Sequence, residues 1–349
     1  MLPVDVVITN HNYARFLPDA VESACAQTYP DVNVVLVDDG SSDGSRELLR
    51  GYSDRVEVVL KEQGGQASAI NAAVDRCRGE VLLLLDADDV LRPQAAERVA
   101  AAFAADPGLA KVQFPMAIVD ADGRPTGEVK PGGHLQAPVG DQRAAELAFP
   151  FDIAWLPGGG TGFRTEAVRK ILPIPEADYP RSGADWYLVH LTALLGKAAL
   201  LDEVCAEYRI HGGNSYELAR AEIDLDHVRE SIGFARVTTR SLEALADELG
   251  LERPHPILSF ADLANRLVSL RLEPNRHPVR GDRRRVLFAD AVRATRRRFD
   301  VSAPMKALLV AWFALEAAVP RRLARPLAEI FLFPARRARF NRLLGRWRL

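Results

Sequence analysis

Cysteine is scarce in this chain. Its 349 residues hold three, Cys25, Cys77 and Cys205, scattered and odd in number, with no CxxC or comparable spacing. That argues against a disulfide framework and a thiolate metal cage, and for buried or incidental thiols in a reducing compartment. A bilayer-spanning apolar run is also lacking. The most apolar stretch, Ala307 to Leu315, is ended by Glu316 and falls short of the roughly 20 residues a spanning helix needs. It predicts a buried or interfacial helix. The first residues, Met1 to Thr9, lack a basic leader region and reach Asp5 at once, so they predict a strand rather than a signal peptide. Neither a P-loop nor GxGxxG occurs, and no internal repeat is visible.

What remains is ordinary in bulk and uneven in detail. Hydrophobic residues make up 48% and charged residues 26%, as in folded soluble domains. Net charge is −2, yet residues 281–349 hold 17 Lys+Arg against 5 Asp+Glu, and residues 1–280 hold 28 against 42. An acidic body with a basic tail suggests different partners for the two ends.

Over the first 120 residues strand and helix patterns alternate. Strands are predicted at Val4–Thr9, Asn33–Val37, Val56–Leu60 and Val81–Leu85. Helices are predicted at Tyr13–Gln27, Ser45–Tyr52 and Gln66–Arg78, and from Pro93 to about Ala105. This rhythm implies an α/β fold, a mainly parallel sheet flanked by helices. Beyond it, Lys111–Asp120 reads as one strand, turning at Asp122-Gly123 toward Thr126–Lys130. Pro157-Gly158-Gly159-Gly160 reads as a flexible element ahead of a helix, Thr165–Ile171. A helix over Ala184–Leu195 and a closing strand over Leu200–Arg209 follow. From Asn214 on, helical segments dominate, the last spanning Arg321–Leu344.

Four short words carry chemistry. Val81-Leu82-Leu83-Leu84-Leu85 is a continuous apolar run, the mark of a buried strand, and Asp86-Ala87-Asp88-Asp89 follows it directly. Carboxylates there would face the crevice where open α/β sheets bind ligands. Clustered carboxylates repel one another and suit a hard divalent cation, with substrate phosphates completing its shell. Val37-Asp38-Asp39-Gly40-Ser41 ends another strand, where an ionised Asp can accept hydrogen bonds from a base or ribose; a turn with a helix cap explains it equally. Gly64-Gly65 before a helix allows close backbone approach to an anion, or is simply a helix start. Asp185 in Gly183-Ala184-Asp185-Trp186 is either an N-cap or a general base, and Trp186 either core or the wall of a sugar site. His211, ending Tyr208-Arg209-Ile210-His211, could supply a nitrogen ligand at a strand end.

Together with Thr9-Asn10-His11-Asn12-Tyr13 and Gln27-Thr28-Tyr29-Pro30, these words resemble the inverting glycosyltransferases of family 2, which have the GT-A fold. The resemblance covers residues 3–215. It implies a GT-A domain over residues 1–215, with 216–349 as a helical, basic C-terminal region. It also implies a nucleotide-diphosphate sugar donor, UDP or dTDP, with Mn²⁺ or Mg²⁺. Nucleotide contacts would come from Thr9, Asn12, Asp39, Gly65, Asn71 and Asp86, and metal contacts from Asp88 and His211. Asp185 would be the catalytic base. Gly159, Gly160, Thr161 and Trp186 would form the acceptor or sugar loop. The acceptor would be a hydroxyl of a glycan or lipid-linked molecule, as in polysaccharide or cell-envelope synthesis. One departure stands out: Ala184 occupies a position where the family commonly has Glu.

Two other classes stay open on the residues alone. A sugar-1-phosphate nucleotidylyltransferase expects a Gly-rich basic loop after the first strand, and Asn10 to Arg15 is not one. A noncatalytic sugar-nucleotide binder has no need of both Asp88 and Asp185. In the tail, Arg283-Arg284-Arg285, Arg296-Arg297-Arg298, Arg321-Arg322 and Arg336-Arg337 are interleaved with Leu, Phe and Trp. A solvated subdomain or oligomer contact explains them; so does docking of a cytoplasmic protein on the anionic inner face of the membrane, at about 1 kcal/mol per basic residue. Nothing matches a nucleic-acid module. Liposome flotation tests the membrane idea: anionic vesicles should carry the full chain and not one lacking residues 281–349, and equal, negligible flotation of both would remove it.

Overall fold

The computed structural model describes residues 1–132, 137–214, 223–254 and 256–332. In chain order it begins β1 (Val4–Asn10), α1 (Leu17–Cys25), β2 (Val32–Asp39), α2 (Ser45–Leu49), β3 (Glu57–Lys61), α3 (Gln66–Val74), β4 (Val81–Asp86), β5 (Val90–Leu91) and α4 (Ala95–Ala105). Then come β6 (Leu109–Gln113), β7 (Met116–Val119), β8 (Pro125–Lys130), α5 (Arg143–Ala148), β9 (Thr161–Arg164), α6 (Thr165–Ile171), α7 (Ala184–Leu191), β10 (Lys197–Leu200) and β11 (Ala206–Arg209). Helices α8 (Leu225–Glu248), α9 (Phe260–Leu272), α10 (Arg284–Arg297), α11 (Ala303–Ala318) and α12 (Arg321–Leu332) complete it.

A seven-stranded sheet runs β10-β6-β9-β4-β1-β2-β3, and a four-stranded sheet runs β5-β11-β7-β8. In the large sheet β3, β2, β1 and β4 are successively parallel, whereas β9 is antiparallel to both β4 and β6. Strands β1 and β4 are buried along nearly their whole length, which is why β4 reads as an unbroken apolar run. Val6, Ile8, Leu36 and Leu83 join Leu17, Val21, Val99 and Phe103 of the helices in one core.

Two predicted strands are each divided between the sheets. Lys111–Asp120 breaks after Gln113, because Pro115 has no N–H to continue a ladder. The Phe114 N–H instead donates to Gly160 O at 3.0 Å, and Pro115 O accepts from Cys205 N–H at 3.1 Å. Leu200–Arg209 likewise separates into β10 and β11. Since β10 runs parallel to β6 and β11 parallel to β7, both chains leave the large sheet side by side. Pro93 precedes α4 rather than opening it; its carbonyl accepts the Thr28 N–H at 2.8 Å. The predicted helix from Tyr13 starts only at Leu17, because Asn12 sits at φ 61 and the chain turns through the next residues.

The flexible glycine element is also corrected. Gly158–Gly160 form a buried single turn of 3₁₀ helix that feeds β9, a strand absent from the sequence reading. Small residues are required here. A Cβ on Gly162 would lie 2.5 Å from Val99 Cγ1 and 3.0 Å from Leu83 Cδ2.

The chain divides into two compact units. One holds residues 1–146, 153–217 and 240–251; the other holds 147–152, 218–239 and 252–349. The division is therefore not a single cut at 215. Asp152 explains the short excursion at 147–152: its carboxylate caps α9, accepting the N–H groups of Phe260 at 2.9 Å and Ala261 at 2.7 Å, and it pairs with Arg298 at 2.9 Å. Within this second unit Leu263, Leu267, Leu287, Ala291 and Phe313 form the core. Glu316, the residue that interrupts the apolar stretch, is buried there, and desolvation pushes its carboxyl up to about 7. Among the described residues no helix is long and apolar enough to cross a membrane. Arg336-Arg337 and the end of the predicted 321–344 helix lie outside the described residues.

Gly162→Ala should cost about 1–3 kcal/mol by overpacking. Equilibrium urea unfolding measures this, and an unchanged midpoint would contradict the packing.

Candidate active site

The carboxyl ends of β1, β2 and β4 lie side by side, with Thr9 in register with Asp86 and Asn10 in register with Asp38. A small pocket opens over them, lined by Val7, Thr9, Gln66, Ile70, Leu84, Asp86, Gly158, Gly159 and Asp185. Of the residues picked out from sequence, Thr9, Asp86, Gly159 and Asp185 thus meet in one place.

The acidic word beyond β4 is held by charge and hydrogen bonds. Burial, then the neighbouring carboxylates of Asp88 and Asp185, raise the Asp86 carboxyl above the usual range; Asp89 is raised strongly by burial and by Asp88 and Asp86. Asp88 Oδ2 lies 3.0 Å from His211 Nε2 and 3.5 Å from Asn214 Nδ2. Asp89 Oδ1 accepts the Arg209 N–H at 2.9 Å. The Arg209 guanidinium donates to Asp88 O and Asp19 Oδ2, each at 2.9 Å, and covers the Phe16 ring at 5.1 Å. The His211 ring packs on Phe16 at 4.7 Å and edge-on to Tyr13 at 5.6 Å. Strand β11 therefore delivers both Arg209 and His211 to the acidic turn. Arg209 stood in the same sequence word as His211, but nothing in the sequence pointed it at Asp88.

Asp185 lies in the first turn of α7, whose N-cap Gly183 adopts φ 86. Its Oδ2 accepts the Gly158 N–H at 3.1 Å and its Oδ1 accepts the Trp186 N–H at 2.9 Å. Gln66 joins the two helix starts at the pocket: its N–H donates to Arg181 O at 3.2 Å, and its Oε1 accepts the Ala184 N–H at 3.1 Å. Gly65, at φ 86, has no room for a side chain, since a Cβ would lie 2.3 Å from Pro180 O. Trp186 packs against His190, ring centroids 5.5 Å apart.

Other expected ligand residues have their polar atoms engaged elsewhere. Asp39 accepts from Lys61 Nζ at 2.6 Å and from the N–H groups of Gly64 at 2.8 Å and Gly65 at 2.7 Å. It therefore shapes the loop entering α3. Asn12 accepts the Ser42 N–H at 2.8 Å and its own N–H donates to Ser41 Oγ at 2.9 Å. The Asn71 amide clamps Ile174, donating to its carbonyl at 3.0 Å and accepting its N–H at 2.9 Å. Thr161 is buried and its hydroxyl donates to Pro157 O at 3.1 Å; Gly160 packs on Met116. Sequence reasoning passed over Lys130 altogether. Its ammonium sits 3.2 Å from the centroid of the Tyr208 ring, and burial lowers it to about 8, opposed by the charges of Asp89 and Asp185.

A divalent cation fits the Asp88–His211 pair. One carboxylate oxygen and one imidazole nitrogen 3.0 Å apart can share a hard cation, and the surplus negative charge around Asp86 and Asp89 favours one. Among the described residues no cluster of three or more His, Cys, Asp or Glu side chains forms a ready cage, so phosphate or water oxygens would have to complete the shell.

A mainly parallel sheet with carboxylates at the crevice, an antiparallel crossing strand and a facing helix-start Asp match the GT-A fold expected from the sequence. The chain matches Glycosyl transferase family 2 over residues 5–172. It is 32% identical over 238 residues to an uncharacterised glycosyltransferase of Nostoc sp., covering 66% of this chain and 72% of that one. The chain belongs to glycosyl transferase family 2. Its fold is similar to that of residues 1–349 of S. aureus TarS, solved with UDP-GlcNAc, at TM-score 0.56 and 16% identity, covering 95% of this chain and 91% of that one. A mannosyltransferase of Pyrobaculum calidifontis, solved with GDP-Man and Mn²⁺, aligns at TM-score 0.52 and 17% identity over 99% of this chain and 88% of that one.

Gly158 is a further residue the sequence did not single out. A Cβ there would lie 2.8 Å from Asp185 Cβ. Gly158→Ala should displace Asp185 and, with Asp185 as the expected base, lower turnover about 10²-fold, with nucleotide binding retained. Initial rates alongside nucleotide titration test this; unchanged turnover would show that the contact is relieved harmlessly.

Proposed function

We propose that the protein moves a sugar from a nucleotide-diphosphate sugar, with UDP or dTDP as the nucleotide, to a hydroxyl of a glycan or lipid-linked acceptor, with inversion and with help from Mn²⁺ or Mg²⁺. The observation that carries this reading is Asp185, held by the Gly158 N–H in the pocket that Asp86 also lines. A carboxylate so held is oriented without being buried in an ion pair, and each oxygen keeps a lone pair free for a proton.

Asp185 would accept the proton of the acceptor hydroxyl while its oxygen attacks the anomeric carbon. The bond to the diphosphate breaks as the new glycosidic bond forms, and the nucleoside diphosphate leaves. Thr9 and Asp86 lie where a nucleotide would rest at the strand ends. Asp88 and His211 would hold the cation, which when bound supplies Lewis-acid stabilisation of the diphosphate charge. Asp39 acts through the Gly64-Gly65 loop it pins. Arg209 orients the acidic turn through its bonds to Asp88 and Asp89. UDP-GlcNAc in the S. aureus structure and Mn²⁺ in the P. calidifontis structure support the donor and cation classes.

The second unit adds a route to lipid-linked acceptors. Phe299, Leu315 and Leu323 are exposed at 67%, 53% and 50%, close in sequence to the exposed Arg296, Arg321 and Arg322. Apolar groups beside basic ones suit peripheral contact with an anionic surface.

Asp185→Asn should keep nucleotide binding and lose about 10²–10⁴-fold in transfer, the range a positioned base contributes. Donor turnover with Mn²⁺, with and without chelator, is the measurement. Wild-type turnover in the variant would sink the assignment of the base.

A further inference from the structure

Among the described residues, Lys130 is a cation in the site with no hydrogen bond or ion pair of its own. It ends β8, an otherwise exposed strand, and is half-buried. Its backbone is in register with Met116 of β7. Met116 packs under the glycine turn, where a Cβ on Gly159 would lie 3.5 Å from Met116 Cε and 3.4 Å from Asp89 Oδ2. The ammonium is 3.2 Å from the Tyr208 ring centroid, a face that holds a cation by its quadrupole while leaving the N–H donors unspent. The carboxylates whose field it feels are Asp89, from the turn after β4, and Asp185, from α7. Neither closes to an ion pair with it.

An ammonium carries three donors and no acceptor. Holding it partly desolvated with those donors unspent costs stability, which a ligand group could recover. Asp88 and His211, 3.0 Å apart, are the pair proposed for the cation and diphosphate. Lys130 feels both the acidic turn, through Asp89, and the proposed base, Asp185.

We propose that Lys130 is a specificity-determining residue that binds an anionic group, a phosphate or a carboxylate, on the acceptor beside its attacking hydroxyl. This rests on the reading of Asp185 as the base and names the acceptor class for that reaction. An anion at Lys130 is drawn in by the ammonium and kept at a distance from Asp89 and Asp185 by their charge.

Calorimetric titration tests this with the full-length protein, first saturated with Mn²⁺ and with UDP or dTDP. Glycerol, glycerate and glycerol 3-phosphate serve as neutral, carboxylate and phosphate probes of similar size. The wild type should bind one of the anions about tenfold or more tightly than glycerol, the loss expected when a charge-assisted hydrogen bond is removed. Preference for glycerate would name a carboxylate, and for glycerol 3-phosphate a phosphate. Lys130→Met should abolish the preference and Lys130→Arg should keep it, both with nucleotide binding within twofold of wild type. A preference that survives Lys130→Met, or no preference in the wild type, would overturn the proposal. Loss of nucleotide binding in Lys130→Met alone would also overturn it, by moving the lysine to the donor side. Failure of the wild type to bind either nucleotide would instead count against the donor reading.

Discussion

Desolvation of carboxylates at the end of a buried strand is the constraint around which the site is organised. Strand β4 drives a run of apolar residues through the middle of the large sheet, and the chain then presents Asp86, Asp88 and Asp89 before it can reach solvent. Burial and mutual repulsion raise Asp86 and Asp89. Left alone, such groups would be expensive. The chain answers with Arg209, His211 and Asn214 arriving from β11 and its exit, and with Lys130 arriving from β8. The second sheet exists, in this sense, to carry compensating groups to the first. A cation at Asp88 would continue the same logic with a larger charge.

The second organising element is steric. Strand β9 runs antiparallel between β4 and β6 and brings the Gly158–Gly160 turn against Asp89, Met116 and Asp185. Only glycine lets the backbone come that close, and the Gly158 N–H thereby becomes the donor that fixes the Asp185 carboxylate. On the opposite wall, Asp39 draws Gly64 and Gly65 inward, Gly65 accommodates Pro180, and Gln66 meets Ala184. The starts of α3 and α7 are thus joined through Gln66, whose N–H donates to Arg181 O and whose side-chain Oε1 accepts the Ala184 N–H. The Asp185 carboxylate is positioned by these contacts rather than by a loop free to wander.

Regular burial made much of this fold legible. The strands β1, β2, β3 and β4 fall where alternating and unbroken apolar patterns put them, and α6 spans the residues its pattern predicts. Failures occurred where a long-range contact overrode a local signal. Phe114-Pro115 looks like mid-strand but passes the chain to another sheet, because Gly160 and Cys205 supply its partners. Pro157 to Gly160 looks flexible by composition and is buried. In the site, the acidic words were readable because carboxylates after a buried strand have few structural uses. Asn12 and Asn71 sit in words of the right kind, yet the amides turn to Ser42 and Ile174. Arg209, Gly158, Gln66 and Lys130 had no local signature, since each matters through a partner at least 27 residues distant in sequence.

By itself, the sequence determined the α/β rhythm, the buried strand that ends in aspartates and the acidic and basic division of the chain. These depend on hydrophobic period and local charge, which neighbours in the chain carry. Tertiary structure decided which carboxylates share a pocket, which polar groups are already satisfied and which cation is left unspent. Those are questions of distance between remote residues, and they were answered by sheet order and by the close approach that a few glycines permit.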